Sequence, residues 1–375
     1  MKKNEILYIL GYFFILFPTY FSEVVIFQPL LQVTMYLGII ILSILFIVSK
    51  IKENIINKKE FWFLFMCFIF SLFSFICSGS FDMIKLFLII FSFKGLNFDS
   101  FLKKEIIIKI LMILLVVFFY FEDGTSALIF FRDGKIRYTL GFSHPNQLAL
   151  FITMISIELL YLNRNRNNDI IAMIIVLFGL VFNVIMTDSR ASIFLTLMVS
   201  LAFIFRKQLS LILKKRNIFD HLFLILTIIS LLFVFLYNSN YSIIAPLDKI
   251  LSSRIKWASV YFNYYGFNLF GKEIFIPYDF VKRDNVVFFC LDNAYIYFLL
   301  HFGIIFYTFF AILYNKLIKV LKKRKEYFLY FIVIFLLIYG LMENTVFKYA
   351  YNPFLILLGI YLNFERNDEE HEREN

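Results

Sequence analysis

Apolar residues in this chain come in long unbroken runs, and the charges fall in the gaps between them. A run of about 18 or more apolar residues is long enough to cross a bilayer as a helix. The runs predict spans near 6–22, 30–49, 61–77, 81–93, 106–121, 145–162, 170–186, 190–205, 220–237, 291–313, 327–343 and 347–364. The fourth is short and the twelfth is interrupted by polar residues. The fold class expected is an all-α polytopic membrane protein with about 12 transmembrane helices. One long polar interval, 238–290, separates the ninth span from the tenth. The chain then divides into nine spans over 1–237, a loop over 238–290, three spans over 291–364 and a charged tail over 365–375.

Composition agrees. Of 375 residues, 61% are hydrophobic and 21% aromatic, against ~45–50% apolar in a soluble domain. A soluble reading would need a dozen buried helices without polar faces. The opening MKKNEILYILGYFFILFPTYFSE has a signal peptide's charged and apolar regions but no small-x-small cleavage site, so it reads as a retained first helix. Cys67, Cys77 and Cys290 are scattered and form no metal motif or disulfide framework.

Charge gives orientation. The net charge of +10 does not indicate nucleic-acid binding, because most Lys and Arg sit in short connections between spans. The basic connections alternate with poorer ones, beginning with Lys2 and Lys3. The positive-inside rule then makes the chain a multi-pass cell-membrane protein with both termini cytoplasmic and the 238–290 loop external. External cations run against that rule. They include Arg132, Lys135, Arg137, Arg190, Lys249, Arg254, Lys256, Lys272 and Lys348. Most read as loop surface or lipid-headgroup contacts; Arg190 and Arg254 stand out.

Three outward-facing helix starts carry polar clusters. GFSHPNQLA, residues 141–149, puts Pro145 in a first turn with His144 or Ser143 as cap. TDSRAS, residues 187–192, offers Asp188 or Ser189 as cap and Arg190 in the first turn. LDNAY, residues 291–295, offers Asp292. Free N–H groups and a partial positive charge at such starts favour phosphate, and guanidinium grips phosphate oxygens in a fork. Within the long loop, LDKILSSRIKWASVYFNYY reads as one interfacial helix with Ile250, Arg254, Trp257 and Tyr261 on a single stripe. Lys85, Lys109 and Glu158 lie within about a turn of a boundary and are expected to snorkel. His301 falls roughly 14 Å into its span at ~1.5 Å per residue and reads as a helix-packing histidine. Glu343 and Asn344 close the eleventh span on the outer side.

GFSHPNQLA, then TDSRASIF, then SSRIKWASVYFNYYGFNLFG, then LDNAYIYFLLHFGII, in that order and with a long loop between, resemble the O-antigen ligase/polymerase superfamily. Within it the chain is most similar to Wzy-type repeat-unit polymerases of capsule and exopolysaccharide synthesis. The resemblance covers about 141–344. It implies a membrane glycosyltransferase whose active site faces outward. Such an enzyme moves a growing glycan from polyprenyl pyrophosphate onto a lipid-linked oligosaccharide repeat unit. It implies Arg190 and Arg254 as pyrophosphate ligands, and His144, Asp292 or Glu343 as the base. Asn146, Asn293 and Tyr295 would orient sugars; the loop stripe itself, either a membrane anchor or a binding face, offers Trp257 and Tyr261 for stacking on them. No metal and no cofactor are implied, and the expected partners are membrane lipids, a flippase and a chain-length regulator. One departure is Gly271-Lys272-Glu273, where the family often has a glycine-rich end to this segment. A ligase joining finished polymer to its acceptor is an alternative of the same fold. A transporter would instead require a charged mid-bilayer path and two-fold internal repeats, and neither is visible.

Overall fold

The computed structural model describes residues 2–52, 58–93, 95–122, 130–132, 134–165, 170–213, 219–239, 244–275 and 291–362. Cys290, the 276–290 part of the long loop and the 365–375 tail therefore lie outside the described residues. Fifteen helices are described. They are α1 (Lys2–Phe21), α2 (Gln28–Lys52), α3 (Lys58–Ser78), α4 (Asp82–Ser92), α5 (Phe98–Glu122), α6 (Pro145–Leu162), α7 (Ile170–Phe182) and α8 (Arg190–Ile204). There follow α9 (Arg206–Leu213), α10 (Leu222–Asn238), α11 (Ile244–Ile250), α12 (Arg254–Tyr265), α13 (Ala294–Lys323), α14 (Tyr327–Tyr339) and α15 (Leu357–Leu362). A two-stranded antiparallel hairpin, β1 (Phe130–Arg132) and β2 (Lys135–Arg137), pairs Phe131 with Ile136.

The chain is all-α, and its long apolar helices mark it as membrane-embedded. Among the described residues six helices are long and apolar enough to cross a bilayer: Lys3–Phe21, Val25–Ile51, Phe61–Ser78, Pro145–Leu162, Ile170–Thr187 and Ala294–Lys323. Arg190–Ile204, Leu222–Asn238 and Tyr327–Tyr339 are apolar but shorter. The region expected as a fourth span forms only 11 helical residues, ~16 Å at 1.5 Å per residue. Over the expected twelfth span the described chain makes a 3-10 turn at Pro353–Ile356 and the six-residue α15. Asn352 and Pro353 break the run there: the Asn352 side chain accepts from Phe354 N and starts a new turn.

The helices group into two compact units, 1–55 with 88–214 and 326–332, and 56–87 with 215–325 and 333–375. In the first unit α1 and α2 form a tight hairpin. A side chain on Gly38 would strike the Gly11 carbonyl at 2.8 Å, so glycine at this crossing lets the two backbones approach. α5 packs on α1 and α6, and α6 packs on α7 and α8. α7 ends in a π-turn, Asn183–Thr187, whose buried Asn183 Nδ2 donates to Ala149 O and Thr153 Oγ1.

Lys109 and Glu158 do not snorkel. Both side chains are fully buried and paired with each other and with Glu105, because α5 and α6 cover them before they could reach a boundary. Lys85 is also held inside the protein, 2.9 Å from Asp82 and over the Tyr349 ring.

In the second unit an aromatic core gathers Phe223, Tyr295, Phe298, Phe310, Tyr314 and Phe347. α13 breaks at Gly303, which has φ 82° and ψ 167°. The freed backbone is satisfied by the segment before it: Ile304 N donates to Asn268 O at 2.9 Å, and Lys272 N donates to Leu300 O at 3.2 Å. Irregular backbone inside an apolar helix persists only where the protein supplies such partners. Gly271, also at positive φ, lies against the His301 carbonyl where no Cβ fits. Within the Gly271-Lys272-Glu273 departure, Gly271 and Lys272 thus brace the kink. His301 is a packing residue, its Nδ1 3.0 Å from Lys272 O and its ring stacked on Tyr297.

Candidate functional site

The second unit assembles an ionic cluster from three separate stretches of chain. The first contribution comes from α12. The single helix expected over 247–265 is two helices, because Ser252 and Ser253 take left-handed φ of 56° and 63° and turn the chain. Asp248 of α11 then caps α12 from behind, its Oδ1 accepting from Ile255 N at 2.9 Å and Lys256 N at 3.0 Å. This fixes Arg254 at the first helical position. The turn also dissolves the expected stripe. Ile250 points to the exterior while Tyr261 is 3% exposed, packed with Val234, Ala258, Leu291, Ile296 and Leu300. Tyr261 has no face to offer a sugar. Trp257 is half-buried, with Lys256 Nζ 5.0 Å from its ring.

The second and third contributions are carboxylates. Asp292 precedes α13 and Glu343 follows α14. Asn344 Nδ2 donates to Leu291 O at 2.7 Å and Ala294 N donates to Gly340 O at 2.8 Å, so the two stretches are laced together. Arg254 bridges them: its Nη2 donates to Glu343 Oε1 at 2.8 Å, and its Nε lies 3.2 Å from Asp292 Oδ2. The second contact is ionic only, since the buried Nε–H is not aligned for a hydrogen bond. Nη1 donates to Leu251 O at 3.3 Å. Side-chain exposure is 13% for Arg254, 24% for Asp292 and 6% for Glu343. Burial pulls the Arg254 pKa down, but the Glu343 and Asp292 carboxylates outweigh it and hold the guanidinium above its ordinary range. Asp292 does not cap α13 as expected. Asn293 does, its Oδ1 accepting from Ile296 N at 3.0 Å while its Nδ2 donates to Ser230 Oγ at 3.1 Å. Asn293, 7% exposed with both ends of its amide engaged, caps α13. Tyr295 is fully buried, donating to Leu337 O at 2.7 Å, and cannot reach a sugar.

The first unit holds the other predicted residues around the start of α6. His144 caps α6, its Nδ1 accepting from Asn146 N at 3.1 Å. A neutral ring in that role keeps its proton on Nε2. Asn146 Oδ1 accepts from Arg137 Nη2 at 2.5 Å, which ties it to the hairpin. Ser189, not Asp188, sits at the N-cap of α8, with Asp188 at φ 44°. Arg190 is exposed in the first turn of α8. Two cations read from sequence as loop surface are instead structural. Arg137 is 4% exposed, its Nε donating to Thr187 O at 2.7 Å, and Arg132 Nη1 donates to Asp188 O at 2.9 Å. The hairpin thereby closes over the carbonyls that end the π-turn, where donors are favoured. No local pattern marks Arg137, because its acceptors Asn146 and Thr187 lie 9 and 50 residues along the chain.

No family model, no curated protein and no solved structure matches this chain.

Proposed function

We propose that the protein is a membrane glycosyltransferase, a polymerase that extends a glycan carried on polyprenyl pyrophosphate by a lipid-linked oligosaccharide repeat unit. The order of motifs across 141–344 brings this reading forward. One observation carries it at the level of chemistry: Arg254, Asp292 and Glu343, distant in sequence, meet within hydrogen-bonding or ion-pair distance at a partly buried edge of the second unit.

Taken by themselves, Arg254, Asp292 and Glu343 carry one excess negative charge when all three are ionised. A diphosphate competes for that arginine. In this reading it displaces Asp292, which is the more exposed partner and the less well aligned one, while Glu343 keeps Arg254 in place. The released Asp292 carboxylate takes the proton of the acceptor hydroxyl. The acceptor oxygen bonds to the anomeric carbon as the bond from that carbon to the pyrophosphate oxygen breaks. The electron pair leaves on polyprenyl pyrophosphate, stabilised by Arg254. Arg190, exposed in the first unit, is proposed as a phosphate ligand on the motif order alone. The twelve-span topology with an outward-facing site, and partnership with a flippase and a chain-length regulator, belong to the same proposal.

The test is polysaccharide length in cells whose own copy is replaced by Asp292→Asn or Arg254→Lys. Single repeat units on the acceptor, with each variant present in the membrane fraction at normal amount, are the expected outcome. Long chains still attached to the carrier would instead identify a ligase. Unchanged length profiles would end the assignment of this cluster.

A further inference from the structure

Glu105 and Lys109 on α5 and Glu158 on α6 form a second ionic cluster, wholly inside the first unit. Exposure is 1% for Glu105 and 0% for the other two. Lys109 Nζ lies 2.7 Å from Glu105 Oε1 and 2.5 Å from Glu158 Oε1. One ammonium thus faces two carboxylates, and among the described residues neither carboxylate has a second cation. Glu105 Oε1 and Oε2 and Glu158 Oε2 are buried without a hydrogen-bond donor, so Glu105 Oε1 meets the ammonium only as an ion. α1, which packs on α5, brings Tyr8 and Tyr12 up to the carboxylates. Tyr8 spends its hydroxyl on Ile89 O at 2.9 Å.

Two carboxylates in one buried site cannot both ionise against a single cation without a large desolvation penalty. A proton on one of them removes the excess charge and creates an O–H donor for an oxygen that lacks one. We propose that Glu105 and Glu158 together bind one proton, making the Lys109 triad an electrically neutral proton site. The proton comes from solvent, adds to a carboxylate oxygen and breaks no other bond. The site plays no part in the glycosyl-transfer reading and stands or falls separately from it.

The charge arithmetic fixes the sign of the pH dependence. Unfolded glutamates release their protons near pH ~4.3, so at neutral pH the folded chain holds one proton more than the unfolded chain. Stability then falls as pH rises, until the site itself is emptied. The measurement is infrared difference spectroscopy of the full chain in lipid nanodiscs between neutral and alkaline pH, with thermal unfolding over the same interval. A protonated-carboxyl C=O band that shifts in heavy water is expected at neutral pH. It should vanish in Glu158→Gln and in Glu105→Gln, whose amide mimics the protonated acid, and both variants should unfold with a flatter pH slope. The double variant leaves Lys109 without a counter-charge and should melt below either single one. Absence of the band from the wild-type chain, which needs no variant to fold, would overturn the proposal. So would an unchanged slope in a folded Glu158→Gln, or a stability restored at high pH by sodium ions, which would make a metal cation the occupant.

Discussion

Arg254 and Arg190 were paired by sequence, but their surroundings differ. Arg254 is half-buried against two carboxylates, one of them 6% exposed. Truncation to alanine strands Glu343 without its cation, and breaking such a pair costs ~3–5 kcal/mol when it is fully buried. Partial exposure of Arg254 places the expected loss below that range. Arg254→Ala should therefore lower the melting temperature in detergent as well as abolish chain extension, by ~100-fold or more if it stabilises the leaving group. Its raised pKa means the guanidinium keeps its charge through alkaline titration. The stability it contributes is present throughout the accessible range, and any alkaline loss of activity must originate elsewhere. Arg190 is exposed at a helix start. Arg190→Ala should leave unfolding within about 0.5 kcal/mol of wild type while chain extension is lost; polymer of normal length from this variant would end its assignment as a phosphate ligand. Asn293→Ala should behave in the opposite way, costing about 1 kcal/mol or more through loss of a helix cap. Restored stability in Asn293→Asp, with Ala still impaired, would identify capping as its role.

Single elements owe their shapes to a few backbone decisions. The kink in α13 requires glycine at 303, where φ is positive and the 268–272 segment crosses closely. Gly303→Ala and Gly271→Ala each combine a strained backbone, worth ~1–3 kcal/mol, with overlap against main-chain atoms that cannot move aside. Reduced yield of folded protein is the expected result for both, read by fluorescence-detected size exclusion. A Gly266→Ala control, where no neighbour lies within 4 Å, should suffer only the backbone term. The α11–α12 turn shows why a helical stripe failed as a guide. Ser252 and Ser253 take the left-handed region at a steric cost, and the two hydrogen bonds that Asp248 accepts from the start of α12 hold the turn in place.

At the scale of the whole molecule, apolar length and helix count separate. Long helices such as Val25–Ile51 and Ala294–Lys323 can cross a bilayer by themselves, whereas the 11-residue α4 cannot. The positive-inside pattern still predicts that Arg254 lies outside the cell. Cysteine substitution at the exposed Tyr264, probed in intact cells with an impermeant maleimide after replacing native cysteines, should give labelling without cell lysis. Labelling only after lysis would invert the topology and remove the proposed reaction from the outer face.

What could be read from the chain alone was whatever depends on local pattern. Unbroken apolar runs dictate helices that need no polar face, so the all-α membrane class and most helix positions follow directly. Pro145 and its neighbours announce the start of α6 because capping is settled within four residues. The tertiary structure decided whatever depends on partners far away in sequence. Asp292 and Asn293 are adjacent and nearly interchangeable as caps; only Arg254, brought in by the α11–α12 turn, draws Asp292 off the helix and leaves Asn293 to cap it. Lys109 and Glu158 look like boundary residues until α5 and α6 close over them. Charge is long-ranged and its cost depends on what covers it, so no stretch of sequence could specify which ionisable groups reach the surface and which are sealed in together.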